Sequence, residues 1–156
     1  MKLTFGHRHI IKGLDPVADA LAGTTYATVV NVRDYHTARF VLYKAAGAAG
    51  TATLTIEACD NANGDNPVAV PFYSQSYTGA DDVPANVVAR SAAGFTTTAG
   101  ASQLYVLEVP TDRLPAGKSW LRLKSVEVVD DPVLAGILIE LSTPRYAAHV
   151  PQTAVA

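Results

Sequence analysis

Few residues of this chain combine the types and spacings that chemistry requires. His7 and His9 stand two apart, so on a strand both imidazoles project to one side and could supply two ligands to a metal. A tight site needs a third or fourth ligand, and only His36 and His149 remain as imidazoles. A solvated or interface pair is the ordinary reading, and no metal is expected. The run from Asp60 to Asn66 has the composition of a calcium loop, but Ala62 occupies a ligand position of the EF-hand pattern and no helix pattern flanks it. The same residues suit a turn, because Asn, Asp and Gly tolerate left-handed backbone. Gly117-Lys118-Ser119 imitates the end of a phosphate loop. The earlier glycine that loop needs is Asp112, and Trp120-Leu121-Arg122-Leu123 reads as strand where a helix should follow.

The remaining candidates are equally bland. Asp81-Asp82 and Asp130-Asp131 pair carboxylates, but in Pro-bearing loops such pairs are solvated turns. Asp34, Tyr35 and His36 adjoin, yet neighbours on a strand point to opposite faces. Gly-x-Ser-x-Gly and His-Glu-x-x-His are both absent. Cys59 is the single cysteine; it offers no disulfide framework and suits a small buried side chain at a strand end. With no nucleophile–base pair and no ligand set, the expectation is a protein that is not an enzyme and carries no cofactor.

The elements that would position these residues are strands. Candidates lie at 26–32, 39–44, 51–59, 68–77, 94–98, 103–109, 120–129 and 134–141, separated by stretches rich in Gly, Pro, Asn and Asp. Between the runs Arg39-Phe40-Val41-Leu42-Tyr43 and Thr51–Ala58 lies the small-residue link Ala45 to Gly50, which reads as a meander within one sheet. Tyr105 and Leu107 alternate with Val106 and Glu108, and Leu121 and Leu123 with Arg122 and Lys124, as the two faces of a sandwich would. Trp120 is expected at a core edge. Asp15-Pro16 followed by Val17, Ala18, Ala20, Leu21 and Gly23 fits a short capped helix or a loop. The reading is therefore all-β: a single-domain β-sandwich, jelly-roll-like, over 15–146. An extended N-terminal arm or edge strand (1–14) precedes it, and a C-terminal tail (147–156) that frays or lies on a neighbouring chain follows.

Composition bounds the partners. The chain has 156 residues, 49% of them hydrophobic and 17% charged, with net charge −2. That length suits one domain that needs neither disulfides nor metals. The near-neutral balance carries no electrostatic footprint for nucleic acid. Residues 1–50 sum to +3 and the rest to −5, which suits layered packing as well as solvated faces. The start lacks the apolar core of a signal peptide, and no apolar run approaches the roughly 20 residues of a membrane helix. Synthesis in a cytoplasm, with no membrane partner, is the expectation.

Four features together resemble a known class. They are the Met1-Lys2 start, Phe40-Val41-Leu42-Tyr43-Lys44 leading into Ala45–Gly50, a Thr-rich strand ending in Ala58-Cys59-Asp60, and Ile137-Leu138-Ile139-Glu140-Leu141-Ser142-Thr143-Pro144-Arg145-Tyr146. In this order they resemble small virion structural proteins of tailed bacteriophages, of the capsid decoration (cement) type. The resemblance spans nearly the whole chain and is weakest between Gly79 and Ala101. It implies a protein on the capsid exterior, partnered by the major capsid protein and by copies of itself, a trimer by analogy. It carries no catalytic residue. The contacts expected with the shell or a neighbouring copy are Lys2, Phe5, Arg8, His9 and Ile10 in the arm, and Arg145 and Tyr146 before the tail. A phage tail component or a receptor- or glycan-binding module is the alternative, with Tyr73, Gln75 and Tyr77 sharing one strand face.

Overall fold

The computed structural model describes residues 7–46, 49–78, 82–146 and 153–156. Twelve strands run β1 (Arg8–Val17), β2 (Thr24–Tyr26), β3 (Val30–Asn31), β4 (Tyr35–Lys44), β5 (Thr51–Cys59), β6 (Val68–Val70), β7 (Phe72–Thr78), β8 (Val88–Arg90), β9 (Phe95–Thr96), β10 (Gln103–Pro110), β11 (Trp120–Val129) and β12 (Ala135–Pro144). They form two six-stranded antiparallel sheets packed as a sandwich. The first has the order β1-β12-β4-β10-β7-β8. In the second, β2-β11-β5-β6, β3 also pairs with β11 and β9 with β5. In chain order β1, β2–β3, β4, β5–β6, β7–β8, β9, β10, β11 and β12 fall in the first and second sheets by turns, and the first strand lies beside the last. That is the connectivity of a jelly roll with a β7–β8 excursion added.

Alternation decides the core. Phe40 and Leu42, Leu54 and Ile56, Leu121 and Leu123, and Ile139 and Leu141 are fully buried between the sheets. Each such side chain contributes about 1.5–3 kcal/mol of apolar burial. The Tyr105/Leu107 and Leu121/Leu123 faces point inward as their spacing requires. Trp120 is half-buried on the outward side of β11.

Three local expectations are corrected. The Ala/Gly link does not make a meander: β4 pairs with β10 and β12, β5 pairs with β11, and the link crosses from one sheet to the other. Gly50 allows the crossing, since a Cβ there would lie 2.0 Å from the Asp131 carbonyl oxygen. No helix forms after Asp15. Asp15, Pro16 and Val17 finish β1, and the following turn is tied down by Ala20 N donating to Val133 O, between β11 and β12, and Gly23 N to the Glu127 carboxylate of β11. The last residues lie on their own chain: Ala154 is buried in the core, and its carbonyl accepts from Asn31 N. The run 8–17 is an edge strand, bulged between Lys12 and Val17, which blunts further edge pairing.

Candidate docking face on the first sheet

The outward side chains of the first sheet stand in three rows fixed by strand register. One row carries Ile10, Glu140, Arg39 and Glu108, and the next carries Lys12, Leu138, Val41 and Val106. The third carries Gly136, Tyr43, Leu104 and Tyr77. Two of the three are largely apolar. Ile10, Tyr43, Leu134 and Leu138 are each more than half exposed, at 64, 62, 52 and 53%. β4 and β12 place apolar residues at both parities, which is the pattern of strands covered on both faces.

Two grooves meet on this face. The larger, of about 640 Å³, is walled by Lys12, Pro16, Val41, Tyr43, Leu134 and Leu138. Its floor is low because residue 136 is glycine: a Cβ there would come within 3.1 Å of the Pro16 ring. The second, of about 380 Å³, shares Val41 and continues past Val106 to Tyr73, Gln75 and Tyr77. The three residues of the glycan reading do share one face. Arg113 donates to the Tyr73 hydroxyl at 3.1 Å, and the Gln75 amide donates to the Ala85 carbonyl at 3.0 Å.

A charged row borders the apolar field. Arg39 holds Glu108 at 2.6 Å and Glu140 at 3.2 Å, while Arg8 lies 3.7 Å from Glu140. Burial by itself would lower the Arg39 pKa. Hydrogen bonding and charge from Glu108, reinforced by Glu140, outweigh it, and the net shift is upward. Partly exposed pairs of this kind contribute little stability. Their effect is to fix where the charges stand.

The opposite sheet covers itself. Glu57 accepts from Arg122 at 2.7 Å and lies 3.2 Å from Lys124, and Arg122 stacks 4.1 Å over the Tyr26 ring. The 60–67 turn folds against the same surface, with Lys118 donating to Asp60 and to the Asn66 carbonyl, both at 2.6 Å. Asn61 accepts from the backbone of Asn63 and donates to Asp65, so this segment is an internally bonded turn. Cys59 is buried beneath it, and burial pushes its thiol pKa up. Among the described residues no group of three His, Cys, Asp or Glu could hold a metal.

The expected contact residues divide. Arg8 and Ile10 point outward onto the docking face. His9 turns the other way, its ring 6.4 Å from that of Tyr35. Arg145 is a clasp: it donates to the Arg33 carbonyl at 2.8 Å and to Thr111 Oγ1 at 2.8 Å, and Nη1 lies 3.2 Å from His36 Nδ1. Tyr146 is exposed. Lys2, Phe5, Asp81 and His149 lie outside the described residues. Tyr43, Val41 and Leu138 were not among the expected contacts. The signal for them was the unbroken apolar run in each strand.

No known protein family matches the chain, and no curated protein does. Among solved structures it is similar to the SPBc2 prophage-derived protein YomS, at 9% identity over 89% of this chain and 98% of that one, with a TM-score of 0.40. It is also similar to part of a family two carbohydrate esterase from Cellvibrio japonicus, at 11% identity over 88% of this chain and 34% of that one, TM-score 0.25. A chain of infectious bursal disease virus, Gx strain, matches at 13% identity over 86% and 40%, TM-score 0.24.

Proposed function

We propose that this chain is a structural protein of a tailed-phage virion that decorates the outside of the capsid and docks through the outer face of its first sheet. The observation that carries this reading is the exposed apolar field of Tyr43, Leu134 and Leu138, bordered by the row of Ile10, Glu140, Arg39 and Glu108 with Arg8 beside Glu140. Clustered exposed apolar side chains with a polar rim have the composition of an interaction site, and the rim gives such a site register. The sequence resemblance supplies the partner class: the major capsid protein, and copies of this chain in self-association, as a trimer by analogy. Its mechanism is linkage. A protein that binds only the assembled shell stabilises it, and repetition over a lattice multiplies the effect. The protein is made in the host cytoplasm, performs no catalysis, and needs no nucleic acid or membrane.

Sedimentation of the purified protein with undecorated capsids tests this. Saturable co-sedimentation that Leu138→Glu and Tyr43→Asp abolish is the expected result. Absence of binding to shells, or binding indifferent to both substitutions, overturns it. The second groove favours one other reading, a tail or receptor module that holds a glycan against Tyr73, Gln75 and Tyr77. Sugar affinity lost in Tyr73→Ala or Tyr77→Ala would select it.

A further inference from the structure

The interior of the sandwich turns polar at one end. Toward the β8 edge, the inward positions of β7 read Phe72, Ser74, Ser76 and Thr78, while those of β10 and β4 end in Gln103 and Lys44. Apolar residues fill most of the other inward strand positions, Ser125 of β11 being an exception. A cleft of about 210 Å³ opens there between the sheets, lined in part by Ser76, Asn86, Arg90, Thr98, Gln103 and Tyr105. It shares no residue with the Tyr43–Leu138 groove.

Two features set this cleft apart from a merely wet sheet end. Gln103 is buried, and its Oε1 accepts no hydrogen bond from any described residue. A buried acceptor left unmatched costs about 1–3 kcal/mol, so its retention calls for an explanation. The second feature is charge. Among the described residues Arg90 forms no ion pair and no Asp or Glu lines the cleft. Its guanidinium is nevertheless held in place: Nε donates to Ser74 Oγ at 2.8 Å, and the group lies 4.5 Å over the Phe95 ring. Phe95 packs in turn on Tyr105, with ring centroids 5.5 Å apart. Fully buried Lys44 stands on the same side, its Nζ donating to the Thr98 carbonyl at 2.7 Å.

We infer that this inter-sheet cleft binds a single acidic sugar, with the carboxylate on the Arg90 guanidinium and the ring hydroxyls among Ser76, Asn86, Thr98 and Gln103. An oriented guanidinium with free N–H groups is matched by a carboxylate. Side-chain hydroxyls and amides, which both donate and accept, are matched by a polyol. The volume lies below the roughly 300–1,000 Å³ of sites for drug-sized ligands, which limits the occupant to one ring. The site is independent of capsid docking and stands or falls separately.

The test is an NMR titration of the isotope-labelled full chain with D-glucuronate and D-galacturonate, using D-glucose and acetate as the two half-ligands. Saturable shifts at Arg90, Phe95, Gln103 and Tyr105 are expected with a uronate, at about tenfold or more lower ligand concentration than with glucose or acetate. Arg90→Gln should weaken uronate binding about tenfold. Asn86→Ala, at an exposed position where folding is not at risk, should weaken it severalfold. The proposal is overturned if uronates leave these signals unmoved, if glucose binds as well as a uronate, or if both variants bind as the unsubstituted protein does.

Discussion

Gly64 lies directly over Arg122: a Cβ at residue 64 would stand 2.3 Å from Nη1 of that guanidinium. The guanidinium cannot simply swing aside, because Glu57 holds it at 2.7 Å and Tyr26 lies 4.1 Å beneath it. The 60–67 turn and the ion cluster on the second sheet therefore depend on each other.

Gly64→Ala separates the two contributions. Gly64 has φ of +78° and Gly23 has φ of +58°, and an added Cβ at Gly23 meets nothing within 4 Å. Left-handed backbone should cost each alanine variant about 1–2 kcal/mol. Any excess for Gly64→Ala over Gly23→Ala in urea unfolding measures the Arg122 contact. Equal losses would show that Arg122 yields freely.

Removing the carboxylate of Glu57 should be worse. Its side chain is 9% exposed and that of Arg122 is 12%, so Glu57→Ala leaves a nearly buried cation without its partner. The expected loss is about 3–5 kcal/mol, seen as a fall in urea midpoint with unchanged slope. A loss under about 1 kcal/mol would place this pair with solvated surface bridges.

Asp60 gives a pH signature. Hydrogen bonds from Lys118 and then Asn66 hold its carboxyl below the usual carboxylate range. A depressed folded pKa means the native state binds this proton less readily than the unfolded chain. The stabilisation is therefore fully present above the unfolded value, about 3.9, and is lost as pH falls through the lower folded value. The difference in Tm between the unsubstituted protein and Asp60→Asn should shrink as pH drops below about 4. A difference constant from neutral pH to acid would refute the coupling.

Lys44 has the opposite character. Its ammonium is fully buried, with one carbonyl as its hydrogen-bond acceptor, and burial lowers its pKa. Lys44→Met keeps the chain's volume and removes the desolvated charge. A gain of about 1 kcal/mol, or roughly 2–4 °C in Tm, is expected. A comparable loss would mean that the bond to Thr98 outweighs the cost of burying the charge.

Arg145 separates folding from docking. It joins Arg33, His36 and Thr111 in one clasp, so Arg145→Ala should lower stability by about 1–2 kcal/mol and leave capsid binding of the folded fraction intact. Leu138→Glu should do the reverse, changing stability by no more than about 0.5 kcal/mol. Loss of binding in Arg145→Ala at temperatures where it is fully folded would return Arg145 to the contact surface.

Period-two alternation was enough to identify β5 from residue order, because its inward set, Ala52, Leu54, Ile56 and Ala58, is apolar and its outward set mostly is not, whereas β10 turns Leu104 and Val106 outward and β11 turns Ser125 inward. Turn chemistry likewise marked 60–67 as a turn, since Asn, Gly and Asp accept the backbone it needs. Residue order did not say which strands pair. The link from Lys44 to Thr51 reads as a meander, and only the competition of β10, β11 and β12 for β4 and β5 turns it into a crossing. Nor could order show that Val41, Leu138 and Tyr43 align across two strands into one exposed field, or that Arg145 turns back to clasp Thr111. Those relationships join residues far apart in the chain. They exist only once register sets strands side by side, and register is decided by packing the whole sandwich at once.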